Sequence, residues 1–235
     1  GSEMCIRDSV ECYLCDNYTI KNSNISYDGL IIRNSTNVFV LNNTIDSKNT
    51  DYYVYFNDIS NLLVQSNTIS TLGIFIESLG ETSRNLNIEN NTFQPSTDYP
   101  VYISNAEYVF IKSNSIINTT SDAVTFYGSV NNSEISNNNI EISDGRAILV
   151  YGNNLTISNN KILQKDYRAI DIQADDVLVK ENNITLSDYT GPSSEAINAI
   201  FNNIEILNNT IILFGNYTWG LEISGCISVS GNNIT

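Results

Sequence analysis

No histidine occurs anywhere in the chain. That absence excludes nucleophile systems of the Ser-His-Asp and Cys-His kind. Basic residues are scarce too: 11 Lys and Arg stand against 26 Asp and Glu, a formal net charge of −15. Phosphate neutralisation needs clustered Lys and Arg, so nucleic acid is excluded as a partner. Simple attraction to anionic membranes is disfavoured for the same reason. No apolar run reaches the length needed to span a bilayer, so direct membrane insertion of this stretch is not expected. No secretory signal sequence is legible. Four cysteines include one Cys12-Tyr-Leu-Cys15 pair. Without a second such pair or a histidine it does not read as a zinc site, and a local disulfide in an exported chain is the simpler expectation. Cys226 takes a repeat position where Asn is usual and reads as a buried thiol.

What the chain has instead is a nine-residue unit, clearest from Asn154 to Ile162. Ten copies begin at residues 17, 37, 61, 85, 108, 132, 154, 176, 203 and 226. Each carries apolar residues at its second, fourth and ninth positions in most copies, and Asn at the seventh. The Asn falls at Asn43, Asn67, Asn91, Asn114, Asn138, Asn160, Asn182, Asn209 and Asn232, with Ser23 in the first copy. Steps of 20 to 27 residues between these positions signal a solenoid.

The alternation Leu155/Ile157, Val177/Val179 and Ile204/Ile206 marks a strand with one buried face. A second alternating stretch precedes most units, as in Ile148/Val150 and Ile170/Ile172, and the apolar residue after the Asn begins a third short strand. Three short strands in about 23 residues predict one coil of a parallel β-helix, an all-β solenoid of about ten coils. The Asn is expected at a sharp corner, itself near the left-handed region, with its amide bonded to the coils above and below. A merely Asn-rich composition is the competing explanation, but it does not account for one constant phase.

These units resemble the right-handed parallel β-helix repeats of the pectate-lyase-like superfamily, which carry Asn at the second turn. The acidic, Asn-rich and N-x-Ser/Thr-rich form is most similar to the adhesin-like surface proteins of methanogenic archaea, and through them to NosD-type repeats. The resemblance covers residues 17–235. It implies the fold, while function on this scaffold lives in grafted sites. Missing histidine counts against a NosD-like copper role and against the histidine of polygalacturonase-like hydrolases.

One β-helix domain over residues 10–235 is therefore expected, with 1–9 outside the repeat as an expression or sequencing scar. The chain is read as a piece of a longer exported protein that stops in mid-repeat, with signal and anchor elsewhere. Loops before the second strand are expected along one edge of the rod. There Asp144 and Arg146 lie 22 residues before Asp166 and Arg168, so they should stack, with Asp122 above and Asp188 below. Asp171 is placed at an outward position of the adjoining strand, and Asp175 and Asp176 follow. Lyases of the resembled superfamily hold calcium on aspartates and use a neighbouring Arg or Lys as base. Asp144, Arg146, Asp166, Arg168 and Asp171 are therefore the catalytic candidates, although no lyase motif matches residue for residue. Their bland reading is turn residues and surface ion pairs. No bound metal or cofactor is required, with calcium the one ion this set would suit.

Tyr55, Phe75, Tyr102, Tyr127 and Tyr151 are expected as an outward aromatic row, flanked by Tyr52, Tyr53, Tyr99, Tyr167, Tyr189, Tyr217 and Trp219 on loops. Aromatic faces stack on sugars, and exposed aromatic patches mark binding surfaces. Tyrosine as a mere strand former filling cross-strand ladders is the alternative. Acceptor sequons for glycans occur at Asn34, Asn42, Asn90, Asn118, Asn154, Asn183, Asn208 and Asn216, of which Asn118 and Asn216 lie in loops. The expectation is a monomeric, extracellular or cell-surface adhesin-like stalk that binds carbohydrate without catalysis. A polysaccharide lyase or other glycan-cleaving enzyme comes second and a structural spacer third.

Overall fold

The structure is a computed structural model that describes residues 4–6, 10–26, 29–46, 54–70, 72–94, 99–187, 194–214, 218–225 and 228–235. Among these no helix occurs, and every strand pairing is parallel. The strands form one sheet of 11 short members and one of 15. The chain winds between them as a right-handed parallel β-helix of about nine turns, which the ten unit positions bound.

The winding follows from stacked like residues. Ile45, Ile69, Phe93, Ile116, Ile140, Ile162, Ile184 and Ile211 are consecutive register partners along the short-strand sheet. Val40, Val64, Ile88, Ile111, Ile135, Ile157, Val179 and Ile206 form a second column. Both columns are buried, as are Leu155, Val177, Ile204, Ile148, Val150, Ile170 and Ile172. Each fully buried Ile or Val contributes on the order of 1.5–3 kcal/mol, and the two-residue alternation leaves the other face of each strand outside.

At the corner, the predicted Asn ladder is present. Asn114 Nδ2 donates to Asn138 Oδ1 (3.1 Å), Asn138 to Asn160 (3.0 Å) and Asn160 to Asn182 (3.0 Å). The same link joins Asn43 to Asn67, Asn67 to Asn91, Asn91 to Asn114, Asn182 to Asn209 and Asn209 to Asn232. Every one of these Oδ1 atoms also accepts the backbone N–H of the preceding ladder Asn, as Asn138 Oδ1 does from Asn114 N at 2.9 Å. The amide further donates to a strand carbonyl one coil back, Asn138 Nδ2 to Ile111 O at 2.9 Å. Polar groups at a buried corner are thereby satisfied without water.

Two expectations need correction. The ladder Asn is not the left-handed residue. That conformation belongs to the residue before it: Asn42, Ser66, Asn90, Ser113, Asn137, Asn159, Glu181, Asn208 and Gly231 all have φ between 52° and 65°. One left-handed residue turns the chain, and the next side chain swings inward to the ladder. Secondly, the three strands of a coil often fuse into two. Leu30–Leu41, Val54–Gln65 and Val124–Ser136 each run through the corner between the second stretch and the unit. In the first two, left-handed residues such as Asn34, Asn37, Asp58 and Asn61 bend the strand without ending its ladder of hydrogen bonds.

At that second corner runs another Asn row, on the outside, formed by the first residues of the units. Asn85 Nδ2 donates to Asn61 Oδ1 (2.9 Å), Asn61 to Asn37 (3.0 Å), and Asn154 to Asn132 (2.7 Å). These amides donate towards the preceding coil, opposite to the inner ladder. Asp16 closes the row, accepting from Asn37 Nδ2 (3.0 Å) and Thr36 Oγ1 (2.7 Å). The Thr36 and Asn37 hydrogen bonds hold its carboxyl below the usual range. Near the same end Cys12 and Cys15 are joined by a disulfide, while Cys226 lies outside the described residues.

Candidate functional site

The aromatic residues and Asp171 lie on the outer face of the larger sheet, on the strand stretches that precede the nine-residue units, and Asp144, Arg146, Asp166 and Arg168 lie in the turns that lead into those strands. The aromatic row is real but is two rows. Tyr55, Phe75 and Tyr102 are register partners in succession. Tyr102 then pairs with Thr125, and Tyr127 pairs with Ser104. The stripe therefore steps two residues sideways, and Tyr127 and Tyr151 continue it. Phe75 and Tyr102 stack at 4.6 Å and 15°, and Tyr102 and Tyr127 at 6.1 Å and 26°. Tyr127 and Tyr151 meet edge-on, at 5.5 Å and 67°. Tyr99 adds an edge to Phe75 and Tyr102, with centroids 6.3 and 5.8 Å away.

This geometry corrects the picture of a flat ladder of faces. Where rings stack along the rod axis their faces cover one another, and ring edges rather than faces remain for a ligand. The stacking breaks at Tyr127, which is 53% exposed. At the far end Tyr55 Oη donates to Glu77 Oε2 (3.1 Å), and Arg33 lies over the Tyr55 ring. Burial, then the hydrogen bond and charge of Glu77, push the Tyr55 phenol up to about 12. Burial first and the Glu77 charge second also raise that of Tyr102.

The charged candidates separate. Arg146 holds Asp122 with two guanidinium bonds, Nε to Oδ1 (3.0 Å) and Nη2 to Oδ2 (2.7 Å). Its Nη1 reaches Asp171 Oδ2 at 3.4 Å. Arg168 Nη1 reaches the same oxygen at 3.3 Å, and its Nε donates to Glu195 Oε2 at 2.8 Å. The result is a chain of five charges, Asp122–Arg146–Asp171–Arg168–Glu195. Asp171 does leave the strand on the outward side, yet it is 0% exposed, because the two arginines lie over it. Its Oδ1 accepts from Asn198 Nδ2 (2.9 Å) and Gln173 Nε2 (3.1 Å). Burial alone would lower the Arg146 and Arg168 pKa values. The bonds and charges of Asp122 and Asp171 on the one, and of Glu195 and Asp171 on the other, outweigh it and raise both.

Asp144 and Asp166 are not brought into this chain. Both are exposed, and Asp144 Oδ1 receives its own neighbour's N–H, from Gly145 at 2.7 Å. Asp175 accepts Asn202 N, and Asp176 accepts Asn203 Nδ2. Asp188, Tyr52, Tyr53, Tyr189, Tyr217 and Asn216 lie outside the described residues. Glu195, Gln173 and Asn198 were missed. Glu195, not Asp188, supplies the carboxylate below Arg168, because the coil there is 27 residues long rather than 22, as the step from Asn182 to Asn209 records. Of the sequon residues, Asn42, Asn90 and Asn208 sit at the left-handed position before the ladder.

Comparison with known proteins places the fold. The family model described as the right handed beta helix region matches residues 73–235, well over half of the chain, and the chain belongs to that family. No curated protein sequence matches it significantly. The match does not extend to the finer likeness with methanogen adhesin-like and NosD-type repeats.

Proposed function

We propose that this right-handed β-helix is a non-catalytic, glycan-binding stalk of a secreted or cell-surface, adhesin-like protein. The observation that carries the reading is the stepped aromatic stripe Phe75–Tyr102–Tyr127–Tyr151, held on strands with successive ring centroids 4.6, 6.1 and 5.5 Å apart. Ring edges, phenol hydroxyls and the exposed Tyr127 offer an extended neutral glycan both apolar contact and hydrogen bonds. No deep pocket is needed, so the expected affinity is modest, about micromolar to millimolar, with avidity supplied by repetition.

The charge chain argues against the lyase reading. An arginine must be neutral to act as a base, and the pKa of a base should lie near the working pH. Pairing with buried carboxylates moves Arg146 and Arg168 the other way. Asp171 already meets two guanidinium groups and two amides, which occupies the oxygens a calcium ion would take. The network reads best as a staple across four coils.

A glycan array probed with the parent and with a Tyr102→Ala/Tyr127→Ala/Tyr151→Ala variant tests the proposal. The parent should bind neutral glycans, with little loss in added salt because no ion pair is involved, and the variant should not. A parent that binds nothing, or a variant that binds equally well, would overturn it.

A further inference from the structure

The loop 78–82, inserted between two strands that are continuous in several other coils, makes a shoulder at the corner between the second stretch and the unit. Asp58 holds it rigidly: Oδ1 accepts the backbone N–H of Leu79 (3.0 Å), Gly80 (3.1 Å) and Glu81 (3.3 Å). Three converging N–H groups on one carboxylate oxygen preorganise the loop. In front of it the next coils have no such insertion, and a cleft of about 330 Å³ results. Its floor is Asn105, Ser129 and Asn131, and Glu81 and Thr82 stand at its side. Ser129 is two residues from Tyr127, so the cleft adjoins the aromatic stripe.

The chemistry of this lining is selective. Asn105 Oδ1 is engaged by Ser129 N (3.3 Å), and among the described residues the Asn105 amide donor has no hydrogen-bond acceptor. Among the described residues the Asn131 amide, the Ser129 hydroxyl and the Glu81 carboxylate make no side-chain hydrogen bond. Leu79, 77% exposed, lines the cleft with an apolar surface. A carboxylate beside amide donors accepts and donates as adjacent hydroxyls require, and a branched apolar side chain suits the C–H face of a ring. The lining includes Glu81 and Glu107 and no cation, Arg84 outside it being turned onto Glu107 (3.4 Å). Phosphate, sulfate and uronate are therefore disfavoured.

We infer that this cleft is a subsite for a single neutral sugar unit, a chain end or side branch of the glycan whose main chain lies on the stripe. The inference rests on the glycan-binding reading, but the two are separable by experiment. Neutral methyl glycosides, a cationic amino sugar and a long neutral glycan are titrated, by ligand-observed nuclear magnetic resonance, into three proteins. These are the parent, a Glu81→Gln/Asn131→Ala variant and the triple-tyrosine variant. All substitutions are at exposed or half-buried outward positions, and thermal melting checks that each protein is folded. A neutral monosaccharide should bind the parent with about millimolar affinity, the cleft variant at least about tenfold more weakly, a loss of about 1.4 kcal/mol, and the triple-tyrosine variant as well as the parent. Three results would overturn the subsite: no monosaccharide binding to the parent, equal binding to the cleft variant, or binding of the amino sugar alone with loss in salt. The long glycan reports separately on the stripe, through its loss in the triple-tyrosine variant.

Discussion

Replacing Asn138 with alanine is expected to destabilise the protein by at least about 3 kcal/mol, since each of three buried groups left unpaired costs at least about 1 kcal/mol. Asn138 Oδ1 is the acceptor for both the backbone N–H and the amide of Asn114, and its own amide supplies Ile111 O. Removing it strands two donors and one acceptor at a corner that water does not reach, Asn138 being 1% exposed. A whole domain has only about 5–15 kcal/mol of net stability, so the loss is large. The neighbouring Asn137→Gly change is the control. Asn137 is exposed and has φ 57°, which glycine adopts freely, so stability should change by less than about 1 kcal/mol. Denaturant unfolding followed by circular dichroism compares the two. Equal, small effects would mean that the inner ladder does not hold the corner.

The second large effect lies in the charge chain. Asp171→Ala should cost about 3–5 kcal/mol, because it leaves guanidinium groups of adjacent coils side by side without their shared counter-charge. Asp144→Ala and Asp166→Ala should each stay within about 0.5 kcal/mol, as exposed positions do. Melting temperatures of the three variants decide the matter. If Asp144 and Asp166 mattered as much as Asp171, the three would act together as a unit, and the staple interpretation would fail.

Much of the fold was legible because the physical constraint repeats. One buried amide per coil, at one phase, is written directly into the sequence, and the Ile and Val columns follow from period-two alternation. What stayed hidden has causes that parity and period do not report. Tyr102 and Tyr127 have the same parity, so sequence placed them in one row, whereas Tyr127 stands two positions further along its strand. Asp171 alternates outward as expected, yet only the fold shows two arginines closing over it. Glu195 escaped because a coil length of 22 residues was carried into a coil of 27. The left-handed residue was misplaced by one, since Asn is common at both positions and only its φ separates them. The outer Asn row was visible at the first position of the unit, and its hydrogen bonds run through exposed side chains that no hydrophobic pattern marks.

The central claim is that successive coils present one repeated binding surface, and the dependence of affinity on ligand length tests it most directly. Neutral oligosaccharides of increasing length are titrated into the parent and the triple-tyrosine variant by calorimetry. Coils repeat at about 4.8 Å, so a chain lying along the stripe gains one contact per coil. Affinity for the parent should rise with each added sugar and level off once the ligand spans Phe75 to Tyr151, and the variant should show no such rise. Affinity independent of length, or an equal rise in both proteins, would contradict the account.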